Sequence, residues 1–481
     1  MATQRKKKPA SFKGGRYLRS FTLQNARTFR SPVTLDFCQS NGSVAQWTVI
    51  LGENGTGKTT LLQYLAGLSM VPGGFNDQVT TPEGKRPPNL RPLFATPDWF
   101  GWCAANIPRP WQKPAKVTIE SVISDMTNSL GDTGKANEEI IPLNLDLSFR
   151  NAKDGNSVVE ATYTIHKDAQ VYSQLRLFAY GASRHVAGPA SPYLSSDNLG
   201  SSPTATIFKD DQPLISPEQW LLGLDHASRS EGETKKFATQ AFRSACRCLR
   251  ATLPNVLDIS VKPYGLIKGQ SSMTLICKTP FGEVPFGALS VGYRTMAAWL
   301  TDFVKRMHEN FPDLDEPDDG PAVVLIDEFD LHMHPQWQRE AMAAIGKEFP
   351  NTQFIVTAHS PIVVQATEGN AKLIVLRRKK RADGLEEVEV IDNPEFAAGW
   401  RLDQIMESVF GMSPRMPEFE DIFNRRTELL KKKKLSRAET KELKEIEVQV
   451  SEKAAPYESE ASKWLFEKLQ KALKEAEKPH G

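Results

Sequence analysis

The stretch VILGENGTGKTTLL, residues 49–62, decides the fold. One apolar run enters it and another leaves it, which predicts a buried strand followed by a helix. Between them, four residues separate Gly52 from Gly57, and Lys58 and Thr59 follow. This spacing is typical of a phosphate-binding loop, because glycines let backbone N–H groups point at a phosphate and the helix adds its positive N-terminal end. A plain strand–turn–helix is the alternative, but it does not require Lys-Thr at this point.

This segment is called the phosphate loop below (Gly52–Thr59), and several of its residues receive a predicted role. We expect Lys58 to bridge the β- and γ-phosphates of a nucleotide and the Thr59 hydroxyl to bind Mg²⁺. The other residues expected to surround the phosphates are Asn54, Gly55, Thr56, Gly57 and Thr60. A nucleoside triphosphate and Mg²⁺ are therefore expected here, and the resemblance given below implies that the nucleotide is ATP.

Two acidic residues follow a second buried strand. The apolar run Val-Val-Leu-Ile at 323–326 leads directly to Asp327 and Glu328. Ligands of open α/β sheets bind at the carboxyl ends of strands. We therefore expect Asp327 to hold Mg²⁺ through water and Glu328 to orient and deprotonate the attacking water. A pair of surface acids is the alternative, and it would be unusual after four apolar residues.

Two further segments carry candidate site residues. FIVTAHS predicts a strand that ends at His359, on the neighbour of the acid-bearing strand and within reach of the γ-phosphate. A lone histidine at a strand end would more simply be a core side chain, but this one follows the acid pair by one helix and one strand. LSVGYR places Ser290 and Gly292 at the start of a long amphipathic helix. There they either bind a phosphate or form an ordinary N-cap.

The order of these motifs resembles the ATP-binding-cassette branch of P-loop ATPases in its soluble form, related to the SMC, Rad50 and RecF proteins. The resemblance covers roughly Arg16–Ala66 and Gly287–Arg377. It implies an α/β fold of the ABC/SMC-type head and a catalytic set of Lys58, Glu328 and His359. It also implies a homodimer or higher homo-oligomer, in which Ser290 and Gly292 close on the nucleotide of a second subunit. The signature reads Ser-Val-Gly-Tyr where that family has Ser-Gly-Gly-Gln, and no glutamine loop is identified.

A narrower resemblance rests on DEFDLHMHPQWQ and on YGASR, which are similar to bacterial ATPases of the AAA15/AAA21 type. RLDQIMESVFGM, followed by charged helices, resembles the ATPase subunits of anti-phage operons such as Septu, which are coupled to a separate HNH nuclease. This resemblance implies that the ATP state regulates an effector nuclease in trans, with DNA as a further candidate partner. His332 and His334 are expected to serve loop packing or dimer contacts rather than a metal.

Three rival interpretations stay open. An ATP-driven nuclease of the overcoming-lysogenisation-defect type would carry a TOPRIM domain after the head, and no such acidic constellation is recognised here. A RecF-like DNA-repair ATPase would bind DNA ends or gaps. A transporter's ATP-binding subunit is disfavoured by the long insertion and by the loop after Glu328.

The sequence predicts five parts. They are a basic flexible tail over 1–15, a head N-terminal lobe with the phosphate loop over 16–95, an inserted α+β region over 96–280, a head C-terminal lobe over 281–395 and a charged helical extension over 396–481. Within the insertion, IPLNLDLSFR, VVEATYTIH and LRLFAYGAS are expected to form a meander. Ser216 is expected to cap a helix that has Pro217 at its first position, and Ser436 with Glu439 predicts a capping box.

Composition argues against a membrane or secreted protein and favours the cytoplasm. The 481 residues carry 60 basic and 58 acidic side chains, a net charge of +2, so overall charge does not indicate a nucleic-acid partner. No apolar run approaches the roughly 18 residues of a membrane span, and the N-terminus lacks the apolar core of a signal peptide. The five cysteines are scattered, which fits a reducing environment. We therefore expect a cytoplasmic protein without a membrane partner.

Overall fold

The computed structural model describes residues 15–72, 90–92, 115–123, 140–151, 157–165, 175–186, 203–267, 270–367, 371–381, 384, 386–392, 400–413, 417–432 and 435–453. The first 14 residues, which contain nearly all of the predicted basic tail, lie outside this part. The chain divides into two compact units, Met1–Ile405 and Met406–Gly481. In the part of the chain just given, no helix combines the length and the apolar character that a membrane crossing needs.

The strands of the described residues are numbered in chain order. They are β1 Arg16–Gln24, β2 Val33–Asp36, β3 Trp47–Gly52, β4 Met70–Pro72, β5 Leu90–Pro92, β6 Ala115–Ile123, β7 Ile140–Asn151, β8 Ser157–Ile165, β9 Leu177–Tyr180, β10 Asp258–Ile267, β11 Gln270–Thr279, β12 Gly282–Pro285, β13 Ala322–Ile326, β14 Thr352–Ala358, β15 Ala371–Lys380 and β16 Glu386–Asp392.

The α-helices are numbered in the same way. They are α1 Lys58–Ala66, α2 Ala205–Phe208, α3 Pro217–Ala227, α4 Glu233–Thr252, α5 Val291–Asn310, α6 Pro335–Glu348, α7 Pro361–Gln365, α8 Leu402–Ser408, α9 Pro417–Lys431 and α10 Arg437–Lys453. The mixture of helices around a central sheet confirms the predicted α/β class.

A six-stranded sheet positions the candidate site. Its order is β16-β15-β3-β14-β13-β9, and only β16 runs antiparallel to its neighbour. β3, β13 and β14 are buried along their whole length, as expected for parallel strands covered on both faces. The phosphate loop, the acid pair and His359 follow these three strands, so their segments emerge at one edge of the sheet.

The predicted meander is correct in part. β6, β7 and β8 pair antiparallel in sequence, but in one five-stranded sheet with β1 and β2, in the order β2-β1-β6-β7-β8. β9 does not join them. It lies parallel to β13 at the edge of the six-stranded sheet, with Tyr180 opposite Ile326. The interval predicted as an insertion therefore contributes strands to sheets that also contain strands of both lobes.

One hydrophobic core connects the two larger sheets. Phe21 and Leu35 from the five-stranded sheet and Leu325 and Ile355 from the six-stranded sheet belong to a single buried cluster that also includes Leu61 of α1. The side-chain amide of Gln353 on β14 exchanges two hydrogen bonds of 2.8 Å with the backbone of Leu18 on β1. Because apolar burial provides most of the folding free energy, this core fixes α1 and the strand ends relative to one another.

Both predicted helix caps are confirmed. The Ser216 hydroxyl accepts from the Gln219 N–H at the start of α3. In the second unit, the Glu439 carboxylate accepts from the Ser436 N–H at 2.8 Å, and the Ser436 hydroxyl accepts from the Glu439 N–H at 3.2 Å. These reciprocal bonds begin α10. Arg425 of α9 contacts Glu442 of α10 through two hydrogen bonds, so the charged helices of this unit pair as a hairpin.

Candidate nucleotide site

The phosphate loop has the backbone that its glycines predict. β3 ends at Gly52 and α1 begins at Lys58, with Gly57 as its N-cap at φ 93°. A Cβ on Gly57 would lie 2.6 Å from the Thr28 hydroxyl oxygen and 2.7 Å from the Phe29 ring. Only glycine fits this position, because both the left-handed backbone and the neighbouring ring exclude a side chain. The loop therefore passes close to Thr28 and Phe29 at Gly57.

Lys58 lies inside the loop. Its side-chain ammonium donates to the carbonyls of Gly52, at 2.7 Å, and Glu53, at 3.0 Å. Burial lowers the pKa of Lys58, and the nearby carboxylates of Asp327 and Glu328 oppose that shift. A cation that is 6 % exposed and held at the start of a helix is well placed to contact an anionic ligand.

The predicted metal-binding pair is brought together. The Thr59 hydroxyl donates to one carboxylate oxygen of Asp327 at 2.7 Å. The other oxygen accepts from the Thr357 hydroxyl at 2.5 Å. Hydroxyl and carboxylate oxygens are the hard donors that Mg²⁺ prefers, and Mg²⁺ commonly takes its remaining ligands from water and substrate phosphates. The residues at this point fit the ion that the sequence predicts.

Glu328 follows in an unusual backbone conformation. Its φ is 49°, in the left-handed region that non-glycine residues seldom adopt. Its N–H donates to the Thr357 hydroxyl at 2.8 Å, and its carbonyl accepts from the Arg184 guanidinium at 2.6 Å. The peptide groups on both sides of this residue are therefore held by side chains from two neighbouring strand ends.

His359 lies directly after β14, as predicted. Its N–H and that of Ser360 donate to one carboxylate oxygen of Asp330, at 3.1 Å and 2.7 Å. Asp330 belongs to the same Asp-Glu-Phe-Asp run as the acid pair. It thus fastens the turn after β13 to the turn after β14, and His359 is held beside the acid-bearing strand.

Other predicted residues, in the loop and just after it, have partners of their own. The Thr56 hydroxyl donates to the Glu53 carbonyl at 2.9 Å, and the Thr60 hydroxyl accepts from Arg27 at 3.1 Å. The Asn54 carbonyl accepts from Arg378 on β15. The shape of the loop is therefore held by one hydrogen bond within it and by one from β15, and the start of α1 is held by one from the segment after β1.

Ser290 and Gly292 begin α5. Ser290 is the N-cap residue, yet its exposed hydroxyl makes no capping hydrogen bond. A Cβ on Gly292 would lie 2.4 Å from the His332 carbonyl oxygen, so this glycine allows the helix start to approach the turn after the acid pair. His334 accepts from the Gln336 N–H through its Nδ1 and caps α6. His334 is therefore a helix cap, and the backbone of His332 lies close to the start of α5.

Two site residues were missed by sequence reasoning. Thr357 connects Asp327 to the Glu328 N–H through a single hydroxyl. Arg184, from the YGASR run, is 2 % exposed and reaches the Glu328 carbonyl. Only the YGASR resemblance drew attention to Arg184, and nothing in the strand FIVTAHS distinguishes Thr357.

Residues 187–365 match the family model described as "AAA domain, putative AbiEii toxin, Type IV TA system". The match contains the acid pair and the segment that begins α5, and the phosphate loop stands at the same sheet edge. The chain is an ATPase.

Relatives of this ATPase are named after retron and Septu systems. The retron Ec83 probable ATPase of Escherichia coli is 25 % identical over 442 residues, which cover 82 % of this chain and 76 % of that protein. The Septu protein PtuA of Bacillus mycoides is 21 % identical over 91 % of this chain and 50 % of its own length. This ATPase therefore spans about half the length of that Septu relative. The solved SMC head domain from Thermotoga maritima covers 78 % of this chain at 13 % identity, with a TM-score of 0.36.

Proposed function

We propose that this ATPase binds Mg²⁺–ATP at the edge of the six-stranded sheet and that its ATP state regulates a separate effector. The observation that carries the proposal is the 2.7 Å hydrogen bond from the Thr59 hydroxyl to the Asp327 carboxylate. It joins the phosphate loop to the acid-bearing strand, which are 268 residues apart in the chain. Mg²⁺, when bound there, would neutralise charge that develops on the phosphates.

The chain's own residues supply the rest of the chemistry. Lys58 and the N–H groups of the loop bind and orient the phosphates, and phosphoryl transfer depends mainly on such positioning and charge stabilisation. Glu328 holds the attacking water and accepts its proton. The Thr59 and Thr357 hydroxyls donate to the Asp327 carboxylate and not to that of Glu328. His359, on the adjacent strand end, would contact the γ-phosphate.

Assembly is the second element of the proposal. The Ser290 hydroxyl is exposed and does not cap its own helix, which supports a role toward another molecule. We propose that Ser290 and Gly292 meet the nucleotide of a second copy, so that ATP drives a homodimer or higher homo-oligomer. The resemblance of the motif order to SMC and RecF heads supports the same arrangement.

The effector is proposed from the relatives. Their names place similar ATPases in retron and Septu systems. We propose that this chain serves bacterial anti-phage defence in the cytoplasm and that its partner is a nuclease of the HNH type, with DNA as a further ligand. Intrinsic, metal-dependent DNA cleavage by the purified chain would contradict a nuclease supplied in trans. Selective binding to DNA ends or gaps, without an effector, would favour the RecF-like alternative.

The decisive experiment is ATP turnover per subunit, measured from nanomolar to micromolar protein with Mg²⁺. We expect turnover to rise with concentration in the wild type, because each site is completed by a second copy. Glu328→Gln should bind ATP, hydrolyse it slowly and accumulate as a dimer. The matched control is Glu340→Gln, which alters an exposed glutamate on α6. Wild-type turnover in Glu328→Gln would refute the assigned base. Turnover that is independent of concentration in a proven monomer would refute the shared site.

A further inference from the structure

Arg184 is a buried cation next to the candidate site. It lies four residues after the end of β9, and its side chain is 2 % exposed. Its guanidinium donates to the Glu328 carbonyl at 2.6 Å. A short hydrogen bond from a charged donor is among the stronger ones found in proteins.

The surroundings keep this side chain charged and held in place. Burial lowers the pKa of Arg184 to about 10, and the carboxylates of Asp327, Glu328 and Asp330 oppose the shift. At neutral pH the guanidinium therefore still carries its proton. A buried charge is tolerated when it is paired and hydrogen-bonded. The turn that contains Asp327, Glu328 and Asp330 provides both for Arg184.

Glu328 needs such support because of its backbone. At φ 49° this residue is in a conformation that only surrounding contacts maintain in a non-glycine residue. The Thr357 hydroxyl accepts from its N–H, and Arg184 donates to its carbonyl. Together the two contacts fix the peptide groups before and after the Cα, and hence the direction in which the carboxylate leaves the backbone.

We propose that Arg184 is a positioning residue, which aims the Glu328 carboxylate by holding the Glu328 carbonyl. The inference rests on the proposed role of Glu328 as the base. Because it acts through Glu328, Arg184 should influence the rate of hydrolysis and leave the binding of ATP unchanged. It lies in the segment that follows β9, so the chain after this edge strand would serve the chemistry at the end of β13.

The test uses the full chain with Arg184→Met, which keeps the length of the side chain and removes every donor, and Arg184→Lys, which keeps the charge without the planar fork. We expect kcat of Arg184→Met to fall by up to about 100-fold, as a small misplacement of a reacting group does, with KM and the affinity for a slowly hydrolysed ATP analogue unchanged. Arg184→Lys should be intermediate. Arg229→Met is the control, because its side chain is 67 % exposed on the surface.

A double variant separates positioning from general damage. Arg184→Met combined with Glu328→Gln should be no slower than Glu328→Gln alone, because both changes remove the same contribution. The inference would be overturned if the losses of kcat were additive in the double variant. It would also be overturned if Arg184→Met lost ATP affinity as much as kcat, or if it kept the wild-type kcat. If Arg184→Met does not fold, Arg184→Lys decides: wild-type kcat, or a rise in KM that accounts for its loss of kcat/KM, overturns it. Failure of the proposed function is a different result, namely wild-type turnover in Glu328→Gln.

Discussion

The space around Gly57 leads to a quantitative prediction for the phosphate loop. Replacing Gly57 by alanine places a Cβ 2.6 Å from the Thr28 hydroxyl oxygen and 2.7 Å from the Phe29 ring, at a φ of 93°. The left-handed backbone costs an alanine about 1–2 kcal/mol. Forcing an extra carbon into a packed site costs about 1–3 kcal/mol more. We therefore expect Gly57→Ala to lower the free energy of unfolding by about 2–5 kcal/mol.

Gly42 provides a matched control for this substitution. Its φ is 85°, but a Cβ there would have no neighbour within 4 Å. Gly42→Ala should therefore cost only the backbone contribution, about 1–2 kcal/mol. Urea unfolding followed by the fluorescence of buried tryptophans such as Trp47 and Trp299 reports on the first unit. Equal losses in the two variants would refute the claim that Phe29 and Thr28 close the space around Gly57.

Three other predictions concern charge and metal. Lys58→Ala should abolish ATP binding, measured by titration with a fluorescent nucleotide, because the phosphates lose the cation held inside the loop; retained affinity would show that the loop is not the phosphate site. Thr59→Val keeps the shape of the side chain without its oxygen, and we expect the Mg²⁺ concentration for half-maximal ATPase activity to rise about tenfold or more; an unchanged requirement would remove Thr59 from the metal site. Burial raises the pKa of Asp318 to about 7, with Arg247 opposing the shift, so the folded state retains a proton that the unfolded state has released. The wild type should therefore lose stability relative to Asp318→Asn as the pH rises from about 4 to about 7, by an amount on the order of 4 kcal/mol, and parallel pH profiles of thermal unfolding would contradict this.

The central part of the site could be predicted from the sequence for a simple geometric reason. The phosphate loop, Asp327 and His359 each follow an apolar run that forms a buried strand, and β3, β14 and β13 are neighbours in one parallel sheet. Carboxyl ends of parallel strands meet at one edge. Order along the chain was therefore enough to bring Thr59 and Asp327 together, because each motif contains both its strand and its functional residue.

The residues that support this site could not be found in the same way. LRLFAYGAS is a short apolar run, and such a run fits a buried parallel edge strand as well as a strand of a meander. Its pairing with β13 depends on contacts far along the chain. Beyond the YGASR resemblance, nothing in the sequence distinguishes Arg184, since an arginine after a strand usually lies in solvent. Thr357 is equally ordinary in sequence, and its two hydrogen bonds follow from the register of β14 against β13.

At Glu328 the left-handed backbone sets the stability of the fold against the proposed ATPase activity. A glycine at this position would adopt a φ of 49° without strain, so Glu328→Gly should be neutral or slightly favourable for the fold while removing the proposed base. Any scheme that ranks variants by resistance to heat or denaturant would then favour an inactive enzyme at this position. Stabilising substitutions in this ATPase should therefore leave Glu328 unchanged and be chosen at positions away from the edge of the sheet.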